Sequence, residues 1–340
     1  MRVARYYSWG DVRLEHMDVP EIGRGEVLVQ VRACGLCGSD LMAWYADSKA
    51  PTVLGHEPVG FVSRVGSGVA ELTPGDRVFV HHHVPCFVCH YCRRGNYSCC
   101  ATFKENGIYP GGFSEYIRVA AANVALDVLP LPEGVPFEEA TLIEPIACAI
   151  RGVKRAGVQR GDSVLIIGAG VSGLLFTQLC RLWGADLVIA TDLVDFRLHR
   201  ALAAGADAGL NPVLDDVQAE VQRLSGRPGS DVVIVTVGSV AVMEQALQLA
   251  AKGGTVLLYA PLPPVQTLPV DICDLLFSEK TLVTTYSCAP DDTRAALDFI
   301  ASGTLKTEGL VTHCFGLEEV GEAMRLAAEG GESLKVVIVP

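Results

Sequence analysis

The sequence has no long apolar run. No segment approaches the roughly 18 consecutive apolar residues that indicate a membrane-spanning helix. The first twenty residues, MRVARYYSWGDVRLEHMDVP, mix charged and aromatic side chains and have none of the apolar core of a secretory signal. These absences argue against a membrane-spanning protein and against an exported one. We therefore expect a cytoplasmic location and no membrane partner.

Positive charge is also scarce. The chain has 27 Lys and Arg residues against 39 Asp and Glu residues, which gives a formal net charge of −12. Nucleic acids and anionic membranes bind basic surfaces, so neither is expected as a partner, and a small-molecule substrate is the expectation instead. The sequence contains no internal repeat or low-complexity tract. Its 340 residues are half hydrophobic, enough to bury a large core and to form two domains.

Cysteine, in contrast, is abundant. The chain has twelve cysteines, and five of them fall within VPCFVCHYCRRGNYSCC, residues 84–100. In a reducing compartment a disulfide framework is not expected, so metal binding or simple burial explains the thiols better. Four of the five have the spacing C-x2-C-x2-C-x7-C: Cys86, Cys89, Cys92 and Cys100.

Four thiolates in one short loop can surround a zinc ion tetrahedrally. Such a closed shell leaves no position for water or substrate, which predicts a structural zinc in a lobe formed by residues 86–100. An iron–sulfur cluster, which also takes four thiolates, and ordinary buried cysteines are the alternatives. His90 and Cys99 are additional potential ligands in the same loop, and Cys99 is interpreted as a bystander.

Hydrophobic periodicity divides the chain into two kinds of pattern. Alternating segments such as EVLVQVRACG, GFVSRVGSG and GGFSEYIRVAAANVALDVLP predict short strands, and helical spacing begins near FEEATLIEPIACAIRGVKRAG. From SVLIIGAG to TVLLYA, apolar strands alternate with amphipathic helices, which predicts a parallel sheet covered on both faces. We therefore expect an α/β protein with a doubly wound nucleotide-binding domain at residues 146–283. Two helices and a final strand follow and return to the first domain.

The run GAGVSG has the pattern G-x-G-x-x-G between an apolar strand and a helix. In this context Gly168 makes the tight turn, Gly170 lets the backbone approach a pyrophosphate, and Gly173 permits close packing of the helix. Val171 and Ser172 open that helix, whose N-terminus faces the anion. The run therefore predicts a dinucleotide-binding site.

An acidic residue, Asp192, ends the next apolar strand, in VIATD. A carboxylate there accepts hydrogen bonds from the ribose hydroxyls and repels a 2′-phosphate, which predicts NAD rather than NADP. Arg197, five residues later, carries a positive charge that weakens the expected preference for NAD. The alternative role for Asp192 is that of a helix N-cap after a strand.

A second metal site is suggested by scattered residues: Cys37 in CGLCGSD, His56 and Glu57 in LGHE, and Glu144 in LIEP. One soft ligand and several harder ones suit a zinc held by three protein groups with one position left open for catalysis. Read singly, Cys37 could be a core thiol, His56 a structural histidine and Glu144 a solvated carboxylate. Their conjunction with the dinucleotide pattern favours the metal site.

These motifs together resemble the zinc-dependent medium-chain alcohol dehydrogenases, most closely the branch of sorbitol, threonine and butanediol dehydrogenases. The resemblance covers the whole length, because CGLCGSD, GHE, the four cysteines, GGFSEY, EP and GAGVSG occur in the family's order and at approximately its spacing. It implies a GroES-like β-rich catalytic domain formed by residues 1–145 and 284–340, with a Rossmann domain at residues 146–283 inserted between them. It also implies a homotetramer, with a dimer as the alternative.

In the same family, Cys37 and His56 correspond to catalytic zinc ligands, and Glu144 takes the position of a cysteine in liver-type enzymes. Glu57 can itself approach or bind the metal in this branch, so either carboxylate is a candidate. The resemblance implies two zinc ions per chain, NAD as cofactor, and reversible oxidation of a secondary alcohol to a ketone. The substrate classes left open are polyols, sugars or cyclitols, vicinal diols and 3-hydroxy amino acids such as L-threonine.

One departure concerns the proton relay. Met42 stands where many relatives carry a histidine that passes the substrate proton toward solvent. The relay is then shorter, through Ser39, or built differently, and Asp40 is a candidate for orienting a ligand. Two alternatives to the predicted function are a zinc-free NADPH reductase of the same superfamily and a non-catalytic NAD-binding protein.

Overall fold

The computed structural model describes residues 1–340, and the chain forms two compact units. Unit 1 consists of residues 1–147 and 288–340, and unit 2 consists of residues 148–287. The boundaries predicted from the sequence, after residues 145 and 283, lie a few residues earlier. Unit 1 therefore takes its chain from two segments that are far apart in the sequence.

Seventeen strands are present. In chain order they are β1 Arg2–Ser8, β2 Asp11–His16, β3 Val27–Leu36, β4 Thr52–Val53, β5 Glu57–Val65, β6 Arg77–Val80, β7 Ile108–Tyr109, β8 Tyr116–Val119, β9 Val128–Pro130, β10 Ser163–Ile167, β11 Leu187–Thr191, β12 Ala208–Leu210, β13 Ser230–Val235, β14 Ala250–Leu258, β15 Thr281–Thr284, β16 Val311–Phe315 and β17 Lys335–Ile338.

Twelve α-helices accompany them. They are α1 Ala43–Ala46, α2 His90–Arg93, α3 Ala121–Asp127, α4 Phe137–Ala140, α5 Ile143–Ala156, α6 Val171–Leu182, α7 Asp195–Ala203, α8 Val217–Ser225, α9 Val240–Leu249, α10 Ile272–Phe277, α11 Pro290–Ala301 and α12 Val320–Glu329. Short 3-10 helices lie at Gly38–Leu41, Asp47–Lys49, Tyr97–Cys99, Ala101–Lys104 and Leu317–Glu319. None of the helices is both long enough and apolar enough to cross a membrane.

Unit 1 is built around the long strand β3. Its alternating side chains Val27, Val29 and Val31 point into the core, as the period of two predicts. Antiparallel partners flank it: β5 pairs with it along nearly its whole length, β8 pairs with its first half, and β17 pairs with its end. The sheet continues from β5 through β6 to β9, and from β17 to β16. Strand β3 is thus held at its carboxyl end by chain from both segments of the unit.

The predicted strand-like stretch at residues 111–130 is wrong in its middle part. After β8 the chain forms helix α3, Ala121–Asp127, before the short strand β9. The segment AANVALD is rich in alanine, the best helix former, which outweighs the apparent alternation. The helix places Asn123 and Asp127 four residues apart and therefore on one buried face.

Unit 2 has the predicted doubly wound sheet. Its strand order is β12-β11-β10-β13-β14-β15, and every neighbouring pair is parallel. The central strand β10, SVLII, is buried along its whole length, as expected for a strand covered on both faces. The strand order reverses between β10 and β13, so a crevice for a ligand is expected at the carboxyl ends of these strands.

Candidate metal and dinucleotide sites

Strand pairing brings the first set of metal-binding side chains together. Cys37 follows β3 directly, His56 immediately precedes β5, and Glu57 is the first residue of β5. Because β3 and β5 pair with Gly35 opposite Glu57, the end of one strand lies beside the start of the other. One donor atom from each of Cys37, His56 and Glu57 lies within 4.8 Å of the others. We call these three residues the mixed-donor site.

Asp40 supports the mixed-donor site from the 3-10 helix Gly38–Leu41. Its Oδ2 accepts a hydrogen bond from the Cys37 backbone N–H at 3.0 Å, and its Oδ1 lies 3.6 Å from His56 Nδ1. Burial opposes ionisation of Asp40, yet the neighbouring His56 and the Cys37 N–H lower its pKa. The position fits the role predicted for Asp40, which is to orient a ligand imidazole.

A buried ion pair lies directly behind Glu57. Glu57 and Lys335 are 0% and 2% exposed and form a close ion pair, and Lys335 Nζ also donates to the Leu36 carbonyl oxygen at 3.1 Å. The pair packs on the backbone of Gly35, where a Cβ would overlap the Glu57 carboxylate. Lys335 contacts Oε2 and leaves Oε1 without a hydrogen-bond partner. That buried oxygen is available to a metal ion.

The charges at the mixed-donor site favour a cation. Burial raises the pKa of Glu57, Lys335 opposes this shift, and the negative charge of Glu144 adds to it. Burial disfavours the imidazolium form of His56, but Asp40 and Cys37 raise its pKa well above the usual range. Sulfur, nitrogen and oxygen donors from three residues suit a zinc ion with an open fourth position. The residues present therefore fit the predicted metal.

Glu144 is placed differently from the other predicted ligands. It does not join the group formed by Cys37, His56 and Glu57; its carboxylate lies within 4.8 Å of donor atoms of His81 and His82. Its effect on the pKa of Glu57 shows that it still lies near the mixed-donor site.

Two further predicted positions lie close to Cys37 in the chain. Ser39 is half-buried in the 3-10 helix Gly38–Leu41, and Met42 follows that helix. No hydrogen bond of the Ser39 hydroxyl supports the predicted relay, which stays a prediction.

The histidines after β6 could not be identified as site residues from the sequence. The ring centroid of His82 lies 4.8 Å from that of His56 and 3.8 Å from that of His83. Burial lowers the pKa of His82 well below its usual value and that of His83 to about 2, so both rings are neutral at neutral pH. The signal in the sequence was the run HHH directly after a strand, but no motif connected it to Cys37 or His56.

The four-cysteine lobe, residues 86–100, brings its predicted ligands together. One sulfur from each of the four cysteines lies within 4.8 Å of the others. Two of the sulfur–sulfur distances are 3.5 Å, between Cys89 and Cys92, and 3.9 Å, between Cys86 and Cys92. Zn–S bonds of about 2.3 Å in a tetrahedron place the sulfurs about 3.8 Å apart, so the residues fit one zinc ion.

Other features of the lobe agree with this interpretation. Burial opposes ionisation of Cys100, yet hydrogen bonds with the Thr102 hydroxyl and the Cys86 N–H lower its pKa to about 6. The apolar cluster of the lobe has only three fully buried members, two of them cysteines and the third Phe103. His90 and Cys99 are exposed and lie outside the sulfur group.

The dinucleotide pattern lies at the carboxyl end of β10 in unit 2. Gly168 has a φ of +96°, a left-handed conformation that favours glycine. A Cβ on Gly173 would overlap the Gly168 carbonyl, so helix α6 packs against the turn as expected. Gly170 precedes α6, and with Val171 and Ser172 it forms the helix N-terminus, where backbone N–H groups attract an anion.

Asp192 and Arg197 lie beside this turn. Asp192 Oδ2 accepts a hydrogen bond from the Ala169 N–H at 2.8 Å, and Oδ1 accepts one from the Val194 N–H at 3.0 Å. The carboxylate is therefore fixed at the edge of the pyrophosphate turn, where a ribose is expected. Arg197 Nη1 lies 3.9 Å from the carboxylate, so a positive charge stands next to the predicted ribose position.

Comparisons with known proteins agree with these sites. Residues 23–133 match the family model of the alcohol dehydrogenase GroES-like domain, and residues 172–302 match that of the zinc-binding dehydrogenases. Sorbitol dehydrogenase of Bacillus subtilis (strain 168) is 32% identical, with 100% of this chain and 97% of the relative covered. L-threonine 3-dehydrogenase of Pyrococcus abyssi (strain GE5 / Orsay) is 36% identical, with 96% and 94% covered.

A comparison with solved structures also finds a dehydrogenase that is similar over the whole chain. A Sinorhizobium meliloti 1021 protein bound to NADP has a TM-score of 0.89 at 30% identity, with 100% of this chain and 99% of that chain covered. The GroES-like and Rossmann-like domains predicted from the motifs are thereby confirmed. The chain belongs to the zinc-dependent medium-chain dehydrogenase family.

Proposed function

We propose that this protein is a zinc- and NAD-dependent dehydrogenase that reversibly oxidises a secondary alcohol to a ketone. Its oxidoreductase class follows from the relatives, which are named as polyol and threonine dehydrogenases. The observation that carries the proposal is the mixed-donor site, where a thiol, an imidazole and a carboxylate converge within 4.8 Å. A zinc-free reductase of the same superfamily has no need of that convergence.

In this proposal Cys37, His56 and the free Oε1 of Glu57 hold the catalytic zinc. A bound zinc supplies Lewis-acid chemistry that lowers the pKa of a substrate hydroxyl. Asp40 keeps the His56 ring oriented, and the charge of Lys335 opposes the rise in the pKa of Glu57 that burial causes. The Ser39 hydroxyl accepts the substrate proton and passes it toward solvent.

The cofactor side rests on unit 2. The turn from Gly168 to Gly173 and the start of α6 bind the pyrophosphate, and Asp192 accepts hydrogen bonds from the ribose hydroxyls. Two backbone N–H groups hold the Asp192 carboxylate where it would repel a 2′-phosphate. This supports NAD as the preferred cofactor, while Arg197 at 3.9 Å lowers the repulsion and limits the preference.

The substrate proposed is a polyol-like secondary alcohol, with L-threonine and vicinal diols as the classes to be compared with it. The lobe zinc is proposed to be structural, because four sulfurs close its shell. The homotetramer and the cytoplasmic location stay predictions. Light scattering of the purified protein would measure the first directly.

The test combines metal counting with turnover. The protein is purified without chelator, zinc per chain is measured, and NADH formation is recorded with polyols, cyclitols, diols and L-threonine, then repeated with NADP. Turnover that depends on metal and on one substrate class supports the proposal and names the class. NAD binding without turnover on any alcohol, in protein that retains metal, would favour the non-catalytic alternative. Turnover that is independent of metal and prefers NADPH would favour the reductase.

A further inference from the structure

The run of three histidines at residues 81–83 has no part in the proposed function. It lies between β6 and the four-cysteine lobe, and its last two rings stand between the lobe and the mixed-donor site. We propose that His83 is a positioning residue, which transmits the order of the lobe through the ring of His82 to the metal ligand His56. The inference rests on the proposed function only in that the lobe and the mixed-donor site bind metal ions.

Four rings form a continuous series of contacts. The ring centroids of His56 and His82 are 4.8 Å apart, those of His82 and His83 are 3.8 Å apart, and those of His83 and Phe103 are 4.8 Å apart. Aromatic rings attract one another at centroid separations of about 4.5–7 Å, and the central pair is closer still. We call these four residues the aromatic stack. It joins the two proposed metal sites of unit 1.

Both ends of the aromatic stack are held by other residues. At one end Asp40 Oδ1 lies 3.6 Å from Nδ1 of His56, and the ring of His82 gives His56 a second contact. At the other end Phe103 is fully buried in the apolar cluster of the lobe, together with Cys92 and Cys100. Two of the four proposed ligands of the lobe zinc therefore belong to the same cluster as the last ring of the stack.

The two middle rings take their positions from packing. The Nδ1 atoms of His82 and His83 are buried and have no hydrogen-bond partner in the folded chain. His81, one residue earlier, differs in this respect, because its Nδ1 lies 2.7 Å from Asp127 Oδ2. Close-packed side chains transmit a displacement to their neighbours. A shift of His83 therefore moves His82, and with it the contact that His82 makes with His56.

The lobe metal controls the outer end of the aromatic stack. The buried part of the lobe's apolar cluster has only three residues, so little besides a metal ion holds Phe103 in place. Metal binding and folding are coupled in segments of this kind. A bound lobe zinc should thus order Phe103 and His83 and raise the metal affinity of the mixed-donor site. Because such coupling is reciprocal, a metal at the mixed-donor site should raise the affinity of the lobe by the same factor.

The test measures the metal affinity of the mixed-donor site in the absence of substrate. The full chain is dialysed against a chelator until one zinc ion per chain remains, and it is then titrated with Co²⁺. The d–d absorption of Co²⁺ reports the geometry of its ligands. Competition with a chelator gives Kd, and a Cys37→Ser variant, which should lose the absorption band, assigns that band to the mixed-donor site.

Substitutions at His83 separate the ring from its nitrogens. His83→Ala should bind Co²⁺ about five- to tenfold more weakly than the wild type and shift the d–d band, because the contact that orders His82 is lost. His83→Phe keeps a ring and should bind within about twofold of the wild type. His90→Ala is the matched control, because His90 is an exposed histidine of the same lobe. Circular dichroism and a retained lobe zinc show that each variant is folded.

Two results with these variants would overturn the inference. The first is a wild-type Kd and an unchanged d–d band in His83→Ala. The second is an equal loss of affinity in His83→Ala and His83→Phe, since the effect would then come from the imidazole nitrogens and not from ring contact. The backbone connection between the lobe and the sheet is the same in both variants, so it cannot account for a difference between them.

A double variant provides an independent measurement. Cys89→Ser opens the lobe and should weaken Co²⁺ binding at the mixed-donor site by about the same five- to tenfold factor as His83→Ala. Combined with His83→Ala, it should cause no further loss, because both changes interrupt one series of contacts. Losses that add in the double variant would contradict transmission through the aromatic stack.

These measurements also distinguish the inference from the proposed function. Coupled affinities in a protein that oxidises no alcohol would refute the proposed function and support the role of His83. Metal-dependent turnover in the wild type, together with the same Co²⁺ affinity in His83→Ala, would refute the role of His83 and leave the proposed function standing.

Discussion

The four-cysteine lobe and the mixed-donor site bring their potential metal ligands together in opposite ways. The lobe takes four identical ligands from one short segment, residues 86–100, and closes them around a single point. The mixed-donor site takes three different donors from the ends of two paired strands. The first arrangement leaves no coordination position open, and the second leaves one.

The residues around the four-cysteine lobe also differ from those around the mixed-donor site. The buried part of the lobe's apolar cluster has only three residues, so a bound metal would replace a core that the segment does not have. The mixed-donor site lies on the main sheet of unit 1 and is surrounded by buried charges, among them Asp40 and the Glu57–Lys335 pair. A metal in the lobe should therefore contribute to stability, and a metal at the mixed-donor site should contribute to chemistry.

The largest effect expected is the loss of turnover in Cys37→Ala. Removing a ligand of the proposed catalytic zinc removes several kcal/mol of Lewis-acid assistance, and each 1.36 kcal/mol is a factor of ten in rate. We expect kcat/KM to fall by about 10³-fold or more, with the melting temperature close to that of the wild type. Steady-state kinetics and calorimetry measure the two quantities. Turnover near the wild-type rate would remove Cys37 from the site.

In the four-cysteine lobe we expect the loss of a ligand to lower the melting temperature more than it lowers turnover. Cys89→Ser opens the sulfur shell, so the segment loses the metal that organises it, and the melting temperature should fall by about 5 °C or more. Cys99→Ser is the matched control, because Cys99 is exposed and lies outside the sulfur group. Thermal unfolding followed by circular dichroism distinguishes them. Equal melting temperatures for the two variants would contradict a structural role for the lobe zinc.

A third change tests how much the buried Glu57–Lys335 ion pair contributes to the free energy of unfolding. Lys335→Met leaves the buried Glu57 carboxylate without its partner, and breaking a buried ion pair from one side costs about 3–5 kcal/mol. We expect the free energy of unfolding to fall by that amount in urea. The double variant with Glu57→Gln removes both charges and should recover part of the loss. If it recovers nothing, the cost comes from packing on Gly35 and not from charge.

The smallest effect is expected at the dinucleotide site. Asp192→Ala removes a ribose acceptor but leaves the pyrophosphate turn intact, so KM for NAD should rise about tenfold and the preference for NAD over NADP should weaken. Arg197→Ala should strengthen that preference, because the positive charge near the 2′ position is lost. Kinetics with both cofactors supply the numbers. An unchanged cofactor preference in both variants would remove this pair from the ribose site.

Local motifs were the part of the molecule that the sequence could predict. The turn GAGVSG and the four cysteines each lie within one short segment, so spacing alone defines their geometry. The Rossmann sheet was predicted because buried parallel strands are continuous apolar runs. Helix α3 was mistaken for a strand because its alanines fall into an apparent alternation, which helix propensity overrides.

Residues that act through tertiary contacts could not be predicted. Lys335 and Asp127 contact Glu57 and His81 only after distant segments pair, and neither belongs to a pattern with its partner. The position of Glu57 beside Cys37 depends likewise on the register of β3 and β5. A single sequence does not show which residues of two strands are paired. The alternation of apolar and polar residues predicts the face of the sheet on which a side chain lies, but not the residue opposite it on the next strand.

The contact of Lys335 with the Leu36 carbonyl has a consequence for biosynthesis, because the two residues are 299 positions apart in the chain. A ribosome adds about 5–20 residues per second, so the pocket of Glu57 waits on the order of 15–60 seconds for its countercharge. During that interval β3 has no β17 to cover its end, and the buried carboxylate has no cation. The mixed-donor site therefore reaches its final charge balance only when the last strand of the chain has been synthesised and paired with β3.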